Sequence, residues 1–311
     1  MKMFGRYDGG IGNRINNILN LLACYRSREK EVDECVIEWI CNATWSSKYE
    51  DLFEPILGVK IINVGKACET IEELRKHFLD VEINENRKCT DETKIEDLLE
   101  GKCNIIHNAE WKGTFTGDLS PISTMEIEGT GCIHIDFGGG TVNKENIWHF
   151  LPRPNKDIID ETKQTISDLN LDKSFAGMHI RDTDHPRRFK NIKTWELTIE
   201  KETAKGNKVF IVSDSNEIKE HLLNKYPDKV ITQLQKDTLF KLNPDKKWDE
   251  RPYEGYEGGS SEYNVASPKL SCRQSLIDML LLSYVYPDYG VQESTFTENA
   301  YRYWYGEWWN D

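Results

Sequence analysis

Two short runs, residues 175–180 and 208–212, constrain this chain more than any other feature. Each is apolar along almost its whole length and too short for a helix, which is the pattern of a strand covered on both faces. Each also ends in polar residues: Arg181 opens a charged loop, and Ser213-Asp214-Ser215 follows the second run. Asp214 or Ser215 is placed to cap a helix through Lys225, with Glu217 three residues after Asp214 as in a capping box. Covered strands alternating with helices predict a parallel sheet whose ligands gather at the carboxyl ends of the strands.

The first half of the chain has the same grammar. Residues 2–7 read as a strand, and Asp8-Gly9-Gly10-Ile11-Gly12 as a loop. Asn13 then caps a helix in which Ile15, Ile18, Leu19 and Leu22 share one face. Residues 36–40, 59–64, 104–107 and 132–137 read as further strands, and 69–78 and 94–99 as helical. Pro152-Arg153-Pro154 continues neither a helix nor a central strand, so the crossing between halves is expected there. The stretch 235–269 is long, polar and rich in Gly and Tyr, which marks a functional or mobile loop. A helix over 272–284, a short strand over 289–291 and a last helix from Phe296 complete the reading. The predicted class is α/β, with residues 1–152 and 153–295 as two Rossmann-like domains facing a central cleft. Residues 296–311 are expected as a C-terminal helix packing back on the first domain.

Composition narrows the function. The 311 residues carry 40 Lys and Arg against 53 Asp and Glu, a formal charge of −13. That balance opposes sequence-independent nucleic-acid binding, which needs clustered cations. No apolar run approaches the ~20 residues of a membrane span. Met1-Lys2-Met3-Phe4 runs into a charged, Gly-rich segment, so no signal peptide is expected. The 8 cysteines include no CxxC pair, so a zinc knuckle has no support and they read as reduced thiols of a cytoplasmic protein. The triplet Asn42-Ala43-Thr44 is the counter-signal for secretion.

Four stretches carry chemistry. Gly9, Gly10 and Gly12 ahead of a helix start offer unpaired backbone N–H groups and a favourable dipole to an anion, or serve as a tight strand-to-helix turn. The loop is neither a Walker A sequence nor a dinucleotide fingerprint. Arg14 in the first turn opposes the helix dipole, which points to an anionic ligand nearby.

The second stretch, at the end of the run 175–180, releases His179, Arg181, Asp182, Asp184, Arg187 and Arg188. Arg181 can fork onto a phosphate, and a solvated charged loop is the plain alternative. Asp182-Thr183-Asp184 is also a DxD triplet, which in another class of sugar-nucleotide enzymes holds a divalent metal on the diphosphate. Three nearby arginines make that metal redundant, so none is expected.

Ser213-Asp214-Ser215 is the third stretch, a helix cap or a ligand contact. The fourth is Asp278 within Leu276-Ile277-Asp278-Met279-Leu280-Leu281-Leu282. A carboxylate in a helix apolar nearly all round needs hydrogen-bond partners, unless it occupies the one exposed stripe. Guanine offers two parallel N–H donors to such a group, and uracil only one. Ser294-Thr295-Phe296-Thr297 then starts the last helix, another place for phosphate oxygens.

Taken in order, these stretches resemble the α1,6-, α1,2- and protein O-fucosyltransferase superfamily of GT-B glycosyltransferases. The resemblance runs through most of the chain, and its specific part is His179-x-Arg181 with downstream Asp278 and Ser294-Thr295. The departure is Asp182, where members closest to the α1,6 type carry a second Arg. Arg187 or Arg188 would supply that charge. The resemblance implies a GT-B-like fold, GDP-fucose as donor, a glycan or glycoconjugate acceptor, and neither metal nor cofactor. It implies His179 and Asp278 on the guanine, Arg181 on the β-phosphate, and Asp214 near the nucleoside. Gly10 to Asn13, with Ser294 and Thr295, would add donors around the diphosphate.

The implied reaction is an inverting displacement at the anomeric carbon. Asp8, Asp182 and Asp184 are the candidate bases, with Asp8 ahead because protein O-fucosyltransferases place an acid near that loop. Aromatic residues in 248–263 and 301–309 are candidates for stacking on acceptor sugars or for the core. Two other readings stay open: a transferase using another nucleotide sugar, such as a UDP-pentose, and a non-catalytic glycan- or nucleotide-binding relative.

Overall fold

A computed structural model describes residues 2–7, 9–27, 30, 32–41, 45–70, 72–74, 124–127, 132–135, 150–181, 192–234, 240–241, 265–266, 268–289 and 294–304. The chain divides into two compact units, Met1–Arg153 with Lys241–Lys269, and Pro154–Phe240 with Leu270–Asp311.

The first unit holds strands β1 (Lys2–Tyr7), β2 (Glu34–Cys41), β3 (Val59–Gly65), β4 (Thr124–Ile127) and β5 (Cys132–Ile135) in one sheet of order β3-β2-β1-β5-β4. β1 is parallel to β2 and β5, and β2 to β3, whereas β4 is antiparallel to β5. The sequence reading held no strand at β4. The expected strand 104–107, the helix 94–99 and half of the helix 69–78 lie outside the described residues.

Helix α1 (Ile11–Ser27) follows β1 directly. The turn between them needs a left-handed residue, which Gly9 supplies at φ +77. The main-chain N–H of Arg14 donates to the Gly10 carbonyl at 3.2 Å, so the helix starts before Asn13. Asn13 is therefore an exposed first-turn residue, where the sequence reading had it as the cap. Ile15, Ile18, Leu19 and Leu22 are buried, as their spacing predicts. Cys35, Cys41 and Cys68 in this unit, and Cys272 in the second, are buried free thiols.

The second unit carries β6 (Ala176–Ile180), β7 (Val209–Ser213) and β8 (Val230–Thr232), all parallel and in that order. β6 and β7 are buried at every residue, as two-sided cover requires. Its described helices are α2 (Lys156–Asp168), α3 (Ile192–Ala204), α4 (Asn216–Lys225), α5 (Lys269–Val285) and α6 (Thr295–Trp304). Met178, Ile180, Trp195, Ile199, Ile211 and Leu222 meet in the core. Each side chain of that size contributes about 1.5–3 kcal/mol on burial.

Of the two possible caps for α4, Ser215 is the one that forms, its Oγ accepting from the Ile218 N–H at 3.3 Å. The expected strand 289–291 is represented by a parallel bridge between Met178 and Tyr289, and residues 290–291 lie outside the described ones. Among the described residues no helix is long and apolar enough to cross a membrane.

Candidate active site

The carboxyl end of β6 brings His179 against the start of α6. His179 is 5% exposed, and its Nδ1 shares a hydrogen bond of 2.8 Å with Thr297 Oγ1. Its ring also lies on Phe296, with centroids 4.6 Å apart. The His179 main chain is fixed too, its N–H donating to the Tyr289 carbonyl at 2.8 Å. Arg181, one residue past the strand, is half-buried.

At the start of α6 the Ser294 carbonyl accepts from the Glu298 N–H at 3.0 Å, which makes Ser294 the cap residue. Ser294 is 3% exposed, and its Oγ has no hydrogen-bond partner among the described residues. The acid of the first turn, Glu298, is occupied by Arg302 at 2.6 Å. A buried, unspent hydroxyl beside the positive end of a helix suits an anionic oxygen. Thr295 and Phe296 form the first turn itself.

Asp278 lies on the buried helix α5 and is 4% exposed, so the buried alternative of the sequence reading is the one realised. Burial pushes its carboxyl up to about 6, against the ammonium of Lys219 and a hydrogen bond donated by Gln274 Nε2 at 3.3 Å. Lys219 on α4 is 1% exposed. Burial holds its ammonium below the ordinary lysine value, while Asp278 and the half-buried Asp214 pull it upward. Lys219 Nζ donates to the Gln233 carbonyl at 2.9 Å, and Gln274 Nε2 donates to Gln233 Oε1 at 2.9 Å. The structure thus gathers Asp214, Lys219, Gln233, Gln274 and Asp278 about the ends of β7 and β8 and the middle of α5.

The first unit holds the glycine loop. Gly9 and Gly10 are accessible, Gly12 is buried, and Asn13 is exposed. Arg14 is fully buried. It donates from Nε to the Gly9 carbonyl at 2.7 Å, from one terminal nitrogen to Tyr7 at 3.0 Å and from the other to Ile40 at 2.8 Å. Its guanidinium also sits 4.5 Å above the Trp39 ring. The partners of this cation include three main-chain oxygens at and just beyond the ends of β1 and β2. That geometry explains why a cation is tolerated in the first turn, and it fixes the loop.

Asp8, Asp182 and Asp184 lie outside the described residues, as do Arg187 and Arg188. Lys219, Gln233 and Gln274 were not singled out from the sequence, and Thr297 was read only as part of a helix start suited to phosphate oxygens, not as a partner of His179. A signal for Gln274 was present, since it precedes Asp278 by one helical turn. Lys219 stands three residues before the buried Leu222, a cation in an apolar stripe. Among the described residues no group of three His, Cys, Asp or Glu is placed to hold a metal ion.

No protein-family model and no curated protein matches the chain. Solved structures do. NodZ alpha-1,6-fucosyltransferase co-crystallized with GDP is similar over 96% of this chain and 91% of its own, at 15% identity and a TM-score of 0.50. The fucosyltransferase NodZ from Bradyrhizobium matches over 96% and 91%, at 14% identity and a TM-score of 0.49. A mutant of Arabidopsis thaliana FUT1 in complex with GDP matches over 97% of this chain and 68% of that one, at 13% identity and a TM-score of 0.47. The first of these likenesses shows the fold: the chain is folded like a fucosyltransferase, as the sequence resemblance implied.

Proposed function

We propose that this chain is an inverting, metal-independent glycosyltransferase that moves L-fucose from GDP-fucose to a hydroxyl of a glycan or glycoconjugate. The observation that carries the reading is the end of β6, where His179 is clamped by Thr297 and Phe296 beside a buried, unspent Ser294 hydroxyl, with Arg181 two residues further along the chain. The shared fold with NodZ, a fucosyltransferase crystallised with GDP, supports it.

In this reading residues 1–152 and 153–295 are the two Rossmann-like halves of a GT-B enzyme, the first serving the acceptor and the second the donor. His179 and Asp278 hold the guanine, and Asp214 serves the nucleoside. Arg181, Ser294 and Thr295 bind the diphosphate, with Phe296 bracing His179. Gly9, Gly10, Gly12 and Asn13 offer polar main-chain and side-chain groups to substrate, and Arg14 keeps that loop in shape.

The acceptor oxygen attacks the anomeric carbon as the bond from that carbon to the β-phosphate oxygen breaks. The acceptor proton passes to a carboxylate, with Asp8, Asp182 and Asp184 as candidates. The electron pair of the broken bond stays on GDP, whose charge Arg181 and the donors of α6 neutralise. A fixed guanidinium stabilises that departing charge as a divalent ion does in other enzymes.

The test is transfer from GDP-fucose to a panel of glycan acceptors in the presence of EDTA, followed by release of GDP and by the anomeric configuration of the product. GDP release with inversion, lost in Arg181→Ala, is the expected result. Turnover of a UDP-sugar, a requirement for Mn²⁺, or tight GDP binding without transfer to any acceptor would overturn it.

A further inference from the structure

Lys219, Gln233 and Gln274 form a connected series around Asp278, and the proposed reaction gives none of the three a role. Lys219 buries its ammonium on α4, which packs on β7 and β8. Removing an ammonium from water is costly, and an apolar side chain would pack this helix without that cost. The use of the cation therefore lies in what it faces, which is the Gln233 carbonyl, Asp278 and Asp214. Gln233 leaves β8 with its main chain held by Lys219 at 2.9 Å and its side chain by Gln274 at 2.9 Å. The Gln274 amide then spends its donors on two acceptors, Gln233 Oε1 and Asp278 Oδ1. Three elements, α4, the end of β8 and α5, thus converge on one carboxyl group.

We infer that Lys219 is a positioning residue for Asp278, acting through Gln233 and Gln274 to orient its carboxylate toward a purine base with two parallel N–H donors. The inference rests on the assignment of Asp278 to the base of the donor nucleotide. A carboxylate that rotates freely still accepts one N–H donor, but it meets two at once only in one orientation. The relay therefore governs discrimination between bases more than it governs binding as such.

Inosine diphosphate is the probe, because it keeps the ring N–H of guanine and lacks the exocyclic amine. The full chain should bind GDP more tightly than inosine diphosphate by about tenfold. In Lys219→Met and Gln274→Leu that preference should shrink to within about threefold, and Lys219→Arg should restore most of it. Thermal melting of each variant identifies those that remain folded. Gln274→Leu, at a half-buried position, keeps the test open if Lys219→Met does not fold. An unchanged preference for GDP in the folded variants would overturn the inference. Equal binding of GDP and inosine diphosphate by the parent chain, or no binding of either, would instead overturn the underlying base assignment.

Discussion

His179 Nδ1 and Thr297 Oγ1 lie 2.8 Å apart, joining the carboxyl end of a strand to the first turn of a helix across 118 residues of sequence. His179 is buried and Thr297 half-buried, and the ring of His179 is stacked on Phe296, the neighbour of Thr297. Thr297→Val keeps the shape and removes the hydroxyl, which leaves a polar nitrogen of His179 without this partner. An unmade buried hydrogen bond costs about 1–3 kcal/mol. We expect GDP affinity to fall by about tenfold, with Thr297→Ser recovering it. Calorimetric titration of the three proteins checks this, and equal affinities would remove His179 from the site.

Asp278 predicts a pH dependence with a definite sign. Its carboxyl is raised from 3.8 to about 6, chiefly by burial. A protonated acid cannot accept two N–H donors. GDP affinity should therefore rise about tenfold per pH unit below that value and level off above it. The stability of the unliganded chain changes in the opposite direction. The unfolded chain gives up this proton near 3.8 and the folded one near 6, so the contribution of the group falls as pH rises between them and is constant above. Titrations between about pH 5 and pH 8 test the first statement, and Asp278→Asn should abolish the slope.

Arg14 predicts a folding defect in place of a simple binding defect. Its guanidinium serves three main-chain oxygens of Gly9, Tyr7 and Ile40 and covers the Trp39 ring. A lysine has no planar fork with which to reach three acceptors. Arg14→Lys should cost about 2 kcal/mol and Arg14→Ala about 3–5 kcal/mol, read by denaturant unfolding. Wild-type stability in Arg14→Ala would mean that the loop is held by other groups.

Gly177 predicts the largest single loss in the second unit. A Cβ there would lie 2.2 Å from the Tyr286 carbonyl oxygen, which also accepts the Gly177 N–H at 3.1 Å. Backbone cannot yield as a flexible side chain does, so Gly177→Ala should displace residues 286–289 from β6 and loosen His179 with them. We expect at least about 3 kcal/mol of destabilisation and a loss of GDP binding beyond it. Thermal unfolding with and without GDP separates the two effects.

Much of this was legible in the chain itself, for identifiable reasons. β6 and β7 lie within a residue of the runs that predict them, because strands buried on both faces announce themselves as continuous apolar stretches. The Asp278 helix was visible from one charge in an apolar run. The helices α2 and α3 were missed because few of their residues are buried, Ile158 and Thr162 in one and Trp195, Ile199 and Glu202 in the other. Such narrow stripes vanish among charged neighbours. Asn13 looked like a cap because Asn is a preferred one, but the left-handed turn at Gly9 starts α1 earlier. Arg14 was read by its type and position, whereas its partners come from two different strands, which sequence spacing does not reveal. Lys219 and Gln233 meet Asp278 only through the fold.

Binding of a guanine nucleotide by the second unit through charge and hydrogen bonds, without a metal, is read by calorimetric titration of GDP and UDP with EDTA and with Mn²⁺. GDP is expected to bind equally in both conditions, UDP at least about tenfold more weakly, and Arg181→Ala to lose GDP. A preference for UDP, or binding that requires the metal, would contradict it.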